Sequence, residues 1–453
     1  MKPGAKVYAA LFAIGLAVYG LLAGARLGHQ SQAPQFVYQA DAWLHGHASI
    51  APPLIDNDWA KLETVALTDA RDARDARDAR EVQGRRMTTR PVFRTITGEE
   101  IALAQVKAPP ISTTWYMSFP PFPTLVMLPS AALAGRAGND VVPTVIIAAL
   151  ILPLALLLFR RLAAAGLSLR SQRDDLWLVA LLAFGSVLCF SAVQGKVWYT
   201  AHVIGVVLAL CYAWASIEAK HPIIAGLALG AAALTRTPMA FMFPLFVLEA
   251  WRMRAPLART LARFAAPVAA FAILGMAYNY ARFHAVTEFG HTYLDVRQQA
   301  QIEQWGLASY HYLARNLAVA FTLLPEWLGH APWIQISGHG LAMWFTTPLL
   351  LVVLWPRDKP AIHRALWLTI ALVAVPSLLY QNSGWVQFGY RFCLDYLVFL
   401  VMLVAIGGRP LTALAKTLIA LGIVINLFGA YTFDRDGRYY RVGGNAYDVL
   451  VAH

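Results

Sequence analysis

Charged residues are scarce in this chain of 453 residues, at 14% of the sequence, whereas hydrophobic residues make up 58%. With a mean hydropathy of +0.52, this balance excludes a water-soluble globular protein. Cysteines are also few, and Cys189, Cys211 and Cys393 all fall in apolar runs. An odd number of cysteines in such runs argues against a disulfide framework, and their spacing indicates no metal site.

The sequence is rich in apolar runs that are long enough to cross a bilayer, which takes about 20 residues of helix. Candidate spans lie near residues 7–25, 141–159, 176–193, 199–218, 222–236, 238–251, 263–281, 338–356, 364–381, 392–407 and 411–432. The two short runs at 222–236 and 238–251 predict a tight or kinked hairpin. We therefore expect an all-α polytopic membrane protein with about 11 transmembrane helices.

The net charge of +12 is distributed in a way that indicates membrane topology rather than a nucleic-acid partner. Basic residues cluster in alternate short loops, at Lys2 and Lys6, at Arg160, Arg161, Arg170 and Arg173, at Arg252, Arg254, Arg259 and Arg263, at Arg357, Lys359 and Arg364, and at Arg409 and Lys416. Because short basic loops stay on the cytoplasmic side, the N-terminus is predicted to be cytoplasmic. With eleven spans, the C-terminus is predicted to be external.

This topology leaves residues 26–140 as one long external loop within a transmembrane domain predicted for residues 1–435. Residues 118–135 contain four prolines, which interrupt helical hydrogen bonding, so we expect a juxtamembrane helix there. A charged low-complexity insert is predicted at 69–95, where an Arg–Asp repeat cannot bury a core.

A second external juxtamembrane segment is predicted at residues 282–337, which are rich in the Trp and Tyr typical of a membrane–water interface. Residues 436–453 are predicted to form an external C-terminal tail.

Polar side chains that could do chemistry collect in the loops that this topology places outside. The first loop contributes Asp41, and the later loops contribute Lys196, Tyr199, His202, Arg236, Gln387, Tyr390 and Arg391. Charged residues at the ends of apolar spans are costly and tend to mark substrate pathways. One carboxylate with several cations predicts a general base beside a bound phosphate, because Arg and Lys hold phosphate through charge-assisted hydrogen bonds.

Each of these residues also has a purely structural explanation. Arg391 could pair with Asp395 four residues later, and Lys196 could extend its ammonium group to the interface. Arg236 could cap its hairpin, His202 could be a packing residue, and Asp41 could cap a short helix. Their joint occurrence on one predicted face of the membrane favours a site.

Several of these stretches resemble the GT-C glycosyltransferases, which include the dolichyl-phosphate-mannose protein mannosyltransferases and the bacterial aminoarabinose transferases. The similar stretches are FVYQADAWLHG, SFPPFP, GKVWYTAH, AGLALGAAALTRTP and QFGYRFCLDY. The resemblance implies a GT-C-like bundle in the bacterial inner (plasma) membrane. It also implies an external active site that takes a sugar from a polyprenyl-phosphate donor.

The sequence departs from the family pattern at the catalytic acid. The family has an acid a few residues before the tyrosine, whereas Asp41 follows Tyr38 here. Either Asp41 takes the role, which we prefer, or Asp56 or Asp58 supplies it, and Glu288 is a further alternative acid. The metal-dependent oligosaccharyltransferase branch uses acids in the second external loop, and GKVWY contains none, so the resemblance implies no metal and no cofactor.

We therefore expect an inverting, metal-independent transfer of a sugar to a lipid, glycan or protein acceptor. Asp41 would act as general base, and Arg391, Lys196 and Arg236 would stabilise the charge on the departing phosphate. Two other functions remain open: a lipid-linked glycan polymerase or ligase, and a polytopic transporter or flippase. Transporters usually show paired internal repeats and ionisable residues at mid-membrane, whereas here no repeat is evident and the ionisable residues cluster at one face.

Overall fold

The structure is a computed structural model that describes residues 4–52, 58–68, 80–294, 296 and 298–443. It is mostly helical. The α-helices are α1 (Ala5–Ala23), α2 (Gln35–Leu44), α3 (Phe122–Ala134), α4 (Val141–Ala164), α5 (Gln172–Ala183), α6 (Leu188–Ser191), α7 (Val197–Ser216), α8 (Pro222–Ala233), α9 (Pro244–Arg252), α10 (Leu257–Phe283), α11 (Gln299–Trp305), α12 (Leu313–Phe321), α13 (Met343–Thr346), α14 (Ile362–Leu378), α15 (Leu397–Ile406) and α16 (Ala413–Thr432). The strands are β1 (Trp59–Ala66), β2 (Glu81–Arg86), β3 (Val92–Thr95), β4 (Glu100–Ala102), β5 (Ser112–Met117), β6 (Glu326–Trp327), β7 (Ile334–Ser337) and β8 (Tyr440–Arg441).

Five helices in the described part of the chain are long and apolar enough to cross a bilayer, namely α1 with its 3₁₀ extension to Gly28, α4, α7, α10 and α16. The helices α8, α14 and α15 are apolar but shorter. These helices indicate a multi-pass membrane protein, while the number of eleven spans stays a prediction. The predicted spans at 238–251 and 338–356 overlap 3₁₀ segments, Thr237–Met242 and Pro348–Leu354, each with a proline in its first turn.

The expectation of an all-α fold is wrong for the segment between α2 and α3. Five antiparallel strands form one sheet there, in the order β4-β3-β2-β1-β5. The strands β2 and β3 fall within residues 69–95, which we expected to be a low-complexity insert. Val82 and Phe93 are buried between more exposed neighbours, as the two-residue period of a strand requires, and they form a small apolar cluster with Val65 and Ile101. Most of the Arg–Asp repeat, at 69–79, lies outside the described residues.

The sheet is tied to the segment after α10 by Glu303, which lies in α11 with only 1% of its side chain exposed. Its two carboxylate oxygens accept hydrogen bonds from the backbone N–H and the hydroxyl group of both Thr88 and Thr89, at 2.6 to 3.1 Å. Arg85 of β2 approaches the same carboxylate at 3.3 Å. Burial by itself raises the pKa of Glu303, but the hydrogen bonds from Thr89 and Thr88 outweigh it and lower the pKa to about 2.

Several helix ends meet at one end of the bundle, which is also the end that carries the sheet. Arg26, after α1, donates to the carbonyl of Phe433, after α16, at 2.8 Å. The backbone N–H of Phe122, which begins α3, donates to the carbonyl of Leu234, after α8, at 2.9 Å. Arg282 of α10 donates to the carbonyl of Met117 in β5 at 2.7 Å. Residues far apart in the sequence are therefore neighbours here, and the charge bias predicts that this end is external.

Candidate functional site

Two adjoining cavities lie at this end of the bundle. The first, of about 290 Å³, is walled mainly by apolar side chains, among them Phe119, Pro120, Leu294, Pro376 and Phe392. The second, of about 920 Å³, is more polar and includes Lys196, Tyr199, Asp434, Arg435 and Tyr440. Both cavities are lined by Asp58, Trp198, Asn382 and Arg391, which we call the junction. A ligand that fills both cavities must pass these four side chains.

Asp58 is the carboxylate of the junction and directly precedes β1. Its Oδ2 accepts a hydrogen bond from the indole N–H of Trp198 at 2.8 Å, and its backbone carbonyl accepts one from the Ser118 hydroxyl at 2.9 Å. Its φ of +56° lies in the left-handed region, which non-glycine residues adopt only when their surroundings hold them there. Burial raises the pKa of Asp58, although the Trp198 hydrogen bond and the positive charge of Arg391 act in the opposite direction.

Arg391 is the cation of the junction and is only 5% exposed. Its Nη1 donates to the carbonyl of Gly384 and, at 3.4 Å, to that of Val386, and its guanidinium lies 5.2 Å from the ring centre of Tyr199. Its Nε is buried and has no hydrogen-bond partner among the described residues. Within the same residues, no carboxylate lies within 4.0 Å of the guanidinium. The carboxylates of Asp58 and Asp395 act on Arg391 only from beyond this distance. A buried cation without a carboxylate in contact is costly, so Arg391 is suited to receive an anion.

Arg282 shows that burial alone does not mark an arginine as an anion-binding residue. It is 2% exposed, but it donates to the carbonyl of Met117 at 2.7 Å and to the Asn279 side chain at 2.8 Å, and it lies 4.1 Å from the ring centre of Tyr278. It is not among the described residues that line the two cavities. The hydrogen bonds of Arg282 are thus made within the fold, whereas Arg391 faces the junction with part of its guanidinium unbonded.

Arg236 lines the first cavity and is held from behind by Asp395. Its Nε and Nη2 donate to the two oxygens of Asp395 at 3.1 and 2.8 Å, and Nδ1 of His202 lies 3.1 Å from Asp395 Oδ1. The alternative pairing of Arg391 with Asp395 is not what the structure shows. The reason is that Arg391–Asp395 is a 3₁₀ segment, in which residues four apart do not lie on the same face.

His202 therefore lies behind Arg236 as a partner of Asp395. Its side chain is fully buried, and it is not part of the described lining of either cavity. We predicted a substrate contact for it, but the structure gives it a position one layer away from the junction.

Asp41, our preferred general base, is not one of the described residues that line these cavities. It lies inside α2 rather than at its start, with 18% of its side chain exposed, and its Oδ1 is 3.6 Å from Nδ1 of His45 one turn later. The neighbouring Tyr38 stacks on Trp59 at 5.9 Å between ring centres. The FVYQADAWLHG stretch thus packs α2 against the sheet, and the alternative acid Asp58 is the one that reaches the junction.

The remaining predicted residues differ in their positions. Lys196 and Tyr199 line the second cavity, where the Lys196 ammonium group lies 2.7 Å from Asp434 and the Tyr199 hydroxyl donates to the Val386 carbonyl at 2.8 Å. Gln387 is buried and shapes the loop before Arg391, because its Oε1 accepts from the Arg391 backbone N–H at 2.9 Å.

Tyr390 is buried beside that loop, with its ring centre 6.0 Å from that of Phe392. The alternative acid Glu288 closes a local turn by accepting from the Gly290 backbone N–H and the Thr292 hydroxyl. The other alternative acid, Asp56, lies outside the described residues.

Several residues that line the cavities are not among the predicted site residues, and four of them are polar or charged groups of particular interest. Asn382 directly follows the predicted span at 364–381, so its polar amide beside an apolar run was a usable signal. Asp434 and Arg435 follow the last apolar run directly, where a charged cluster next to a membrane span was also a usable signal. His291 lines the first cavity, and burial together with the positive charges of Arg236 and Arg282 lowers its pKa to about 4, so its imidazole is neutral at pH 7.

Among the described residues, no group of three His, Cys, Asp or Glu side chains is placed to hold a metal ion. Asp56 and Asp295 lie outside those residues.

Comparisons with known proteins give a similarity in structure only. No family model matches the chain, and no curated protein sequence matches it. Two solved structures are similar to it, both of the Archaeoglobus fulgidus oligosaccharyltransferase, one in the apo form and one tethered by a disulfide bond to an acceptor peptide containing the NVT sequon. The sequence identity is 13% in both comparisons, with TM-scores of 0.46 and 0.42, over 98% of this chain and 57% of the archaeal chain. This chain thus spans little more than half the length of the archaeal protein.

Proposed function

We propose that the protein is a membrane glycosyltransferase that moves a sugar from a polyprenyl-phosphate donor to an acceptor hydroxyl at the junction. The observation that carries this proposal is Arg391, a buried cation with no carboxylate within 4.0 Å among the described residues, where an apolar cavity meets a polar one. A polyprenyl-phosphate sugar has the matching order of parts: an apolar chain, an anionic phosphate and a polar sugar.

The first cavity suits the end of the polyprenyl chain next to the phosphate, because its walls are largely apolar. Arg391 would bind the phosphate through charge-assisted hydrogen bonds. Arg236 would add a second cation from the same cavity, since Asp395 engages its Nε and Nη2 and directs the guanidinium from behind. The sugar and the acceptor would occupy the junction and the larger second cavity.

Asp58 is the general base in this proposal, in place of Asp41. Its carboxylate takes the proton of the acceptor hydroxyl, and the acceptor oxygen forms a bond with the anomeric carbon of the donor. The bond from that carbon to the phosphate oxygen breaks, its electron pair stays on the phosphate, and Arg391 stabilises the added charge. Displacement in one step inverts the configuration at the anomeric carbon. The burial that raises the pKa of Asp58 makes its carboxylate a stronger base.

The reaction written in this way needs no metal ion and no cofactor. In this proposal the junction lies on the external, periplasmic face of the plasma membrane and the N-terminus in the cytoplasm, and the charge bias of the loops supports this orientation. The acceptor is then a lipid, a glycan or a protein on that face.

The test is a transfer assay with the purified full chain in liposomes that contain a labelled-sugar polyprenyl phosphate. We expect label to appear in acceptors from a cell-envelope fraction, with one free polyprenyl phosphate released per sugar and inversion at the anomeric carbon. Label that crosses the bilayer only as intact lipid would instead identify a flippase. Transfer restricted to preassembled glycans would identify a polymerase or ligase, and retention of configuration would contradict the one-step displacement.

A further inference from the structure

A third cavity, of about 330 Å³, adjoins the second and shares Lys196, Asp434 and Arg435 with it. It lies between the end of α1 and the segment after α16, and Arg26 and Gln194 also line it. The reaction proposed above does not use this cavity. It nevertheless adjoins the cavity that would hold the acceptor, because Lys196, Asp434 and Arg435 line both.

The lining of the third cavity carries more positive than negative charge. Arg26, Lys196 and Arg435 contribute three cations, whereas Asp434 is the only carboxylate in the described lining. Asp434 lies 2.7 Å from Lys196 and 3.9 Å from Arg26. Arg435 is held by neutral groups, since it donates to the carbonyls of Leu22 and Ala23 at 2.7 and 2.6 Å. Cations gathered in this way repel one another, and an anion bound between them would remove that cost.

Gln194 adds a hydrogen-bond acceptor to the same lining. It is 2% exposed, and its Nε2 donates to the Phe190 carbonyl at 3.0 Å, which fixes the orientation of the amide group. Its Oε1 is buried and accepts no hydrogen bond within the described part of the chain. A buried acceptor of this kind requires a donor, and a hydroxyl group of a ligand would supply one.

We infer that the third cavity binds an anionic, hydroxylated group of the acceptor, so that the acceptor is an acidic saccharide carrying carboxylate or phosphate groups. This inference rests on the proposed transferase function, because it assigns the cavity to the acceptor of that reaction. Lys196 and Arg435 bind the anionic group, Gln194 accepts from a hydroxyl group, and the acceptor then extends through the second cavity towards Asp58. A neutral saccharide of the same size lacks the charge that this lining is built to bind.

The binding test uses the purified full chain in nanodiscs of uncharged lipid and measures its thermal unfolding with added sugars. Glucuronate and glucose 6-phosphate should raise the unfolding temperature in a concentration-dependent way, whereas glucose at the same concentrations should not. In Lys196→Met the concentration for half the effect should rise at least about tenfold. Lys196→Arg should restore the response, and Lys416→Met, a lysine at the other end of the bundle, should respond as wild type does.

Equal responses to glucuronate and glucose, or an unchanged response in Lys196→Met, would overturn the inference. Inorganic phosphate that stabilises as well as glucose 6-phosphate would overturn its saccharide part, because the hydroxyl groups would then contribute nothing. The transfer assay separates the two claims. Equal transfer to neutral and acidic acceptors contradicts the acidic acceptor and leaves the transferase standing, whereas charge-dependent binding without any transfer contradicts the transferase.

Discussion

Arg391 is the residue whose substitution should most affect use of the donor. In Arg391→Met the side chain keeps much of its length and apolar volume but loses the charge and all hydrogen-bond donors. We expect kcat/KM for the polyprenyl-phosphate donor to fall, because the variant cannot stabilise the phosphate. Arg391→Lys keeps the charge but not the planar arrangement of donors, so it should retain an intermediate activity.

The size of the effect follows from the hydrogen bonds that Arg391 leaves open. Nη1 is engaged by the carbonyls of Gly384 and Val386, while Nε has no partner in the described part of the chain. Hydrogen bonds to a charged group contribute roughly 1.5–3 kcal/mol each. If two such bonds to the phosphate are lost and Arg236 partly compensates in the variant, the stabilisation of the transition state falls by roughly 3 kcal/mol. That loss corresponds to about a 10²-fold decrease in kcat/KM.

The assay is donor saturation with labelled lipid, alongside thermal unfolding to show that each variant is folded. The matched control is Arg170→Met, because Arg170 also donates to backbone carbonyls, those of Val404 and Ala405 at 2.7 and 3.0 Å, but at the other end of the bundle. It should leave kcat/KM within a few fold of wild type. A folded Arg391→Met with unchanged kcat/KM, or an equal loss of kcat/KM in Arg170→Met, would refute the assignment of Arg391 as the residue that binds the phosphate.

Three further predictions concern the groups around the junction and the sheet. Trp198→Phe removes a hydrogen bond that lowers the pKa of Asp58, so the acidic limb of the pH profile of kcat/KM should move to higher pH. An acidic limb at the wild-type pH would exclude Asp58 as the titrating base. The pKa of Glu303 is lowered from 4.5 to about 2, so its contribution to stability is complete above about pH 4.5 and is lost as the pH falls towards about 2. Glu303→Gln should therefore lower the free energy of unfolding by roughly 2–3 kcal/mol at pH 7 and weaken its dependence on acid pH. Denaturant unfolding at pH 7 and pH 3 measures both. An equal loss of stability between these pH values in wild type and variant would contradict the prediction. Asp395→Asn leaves Arg236 without its carboxylate partner, so the KM for the donor should rise and the unfolding temperature should fall. Wild-type values of both would show that Asp395 does not position Arg236 for the donor.

The mostly helical fold could be predicted from the sequence, and Arg236 and Arg391 could be proposed as site residues, because both inferences depend on local signals. Apolar runs mark the helices, and Arg236 and Arg391 stand out as charges at the ends of such runs. The contacts of these charges could not be read in the same way. The pairing of Arg236 with Asp395 joins residues 159 positions apart, and the 3₁₀ geometry that separates Arg391 from Asp395 has no clear sequence signal.

The sequence favours Asp41 over Asp58 as the general base for a related reason. Asp41 stands in an aromatic context near the first span, which made it conspicuous, whereas Asp58 precedes strands that are short and flanked by charged residues. Asp58 reaches the junction because β1 pairs with β5, which brings the Ser118 hydroxyl to its backbone and leaves its carboxylate beside Trp198. Such long-range strand pairing depends on tertiary contacts that the alternation of a few residues does not specify.

The most direct test of the account compares Asp58→Asn with Asp41→Asn in single-turnover transfer of labelled sugar, using folded protein at saturating donor. We predict that Asp58→Asn lowers the transfer rate by about 10²–10⁴-fold, the usual contribution of a general base, and that Asp41→Asn stays within a few fold of wild type. A fast Asp58→Asn together with a slow Asp41→Asn would contradict the location of the reaction at the junction of the two cavities.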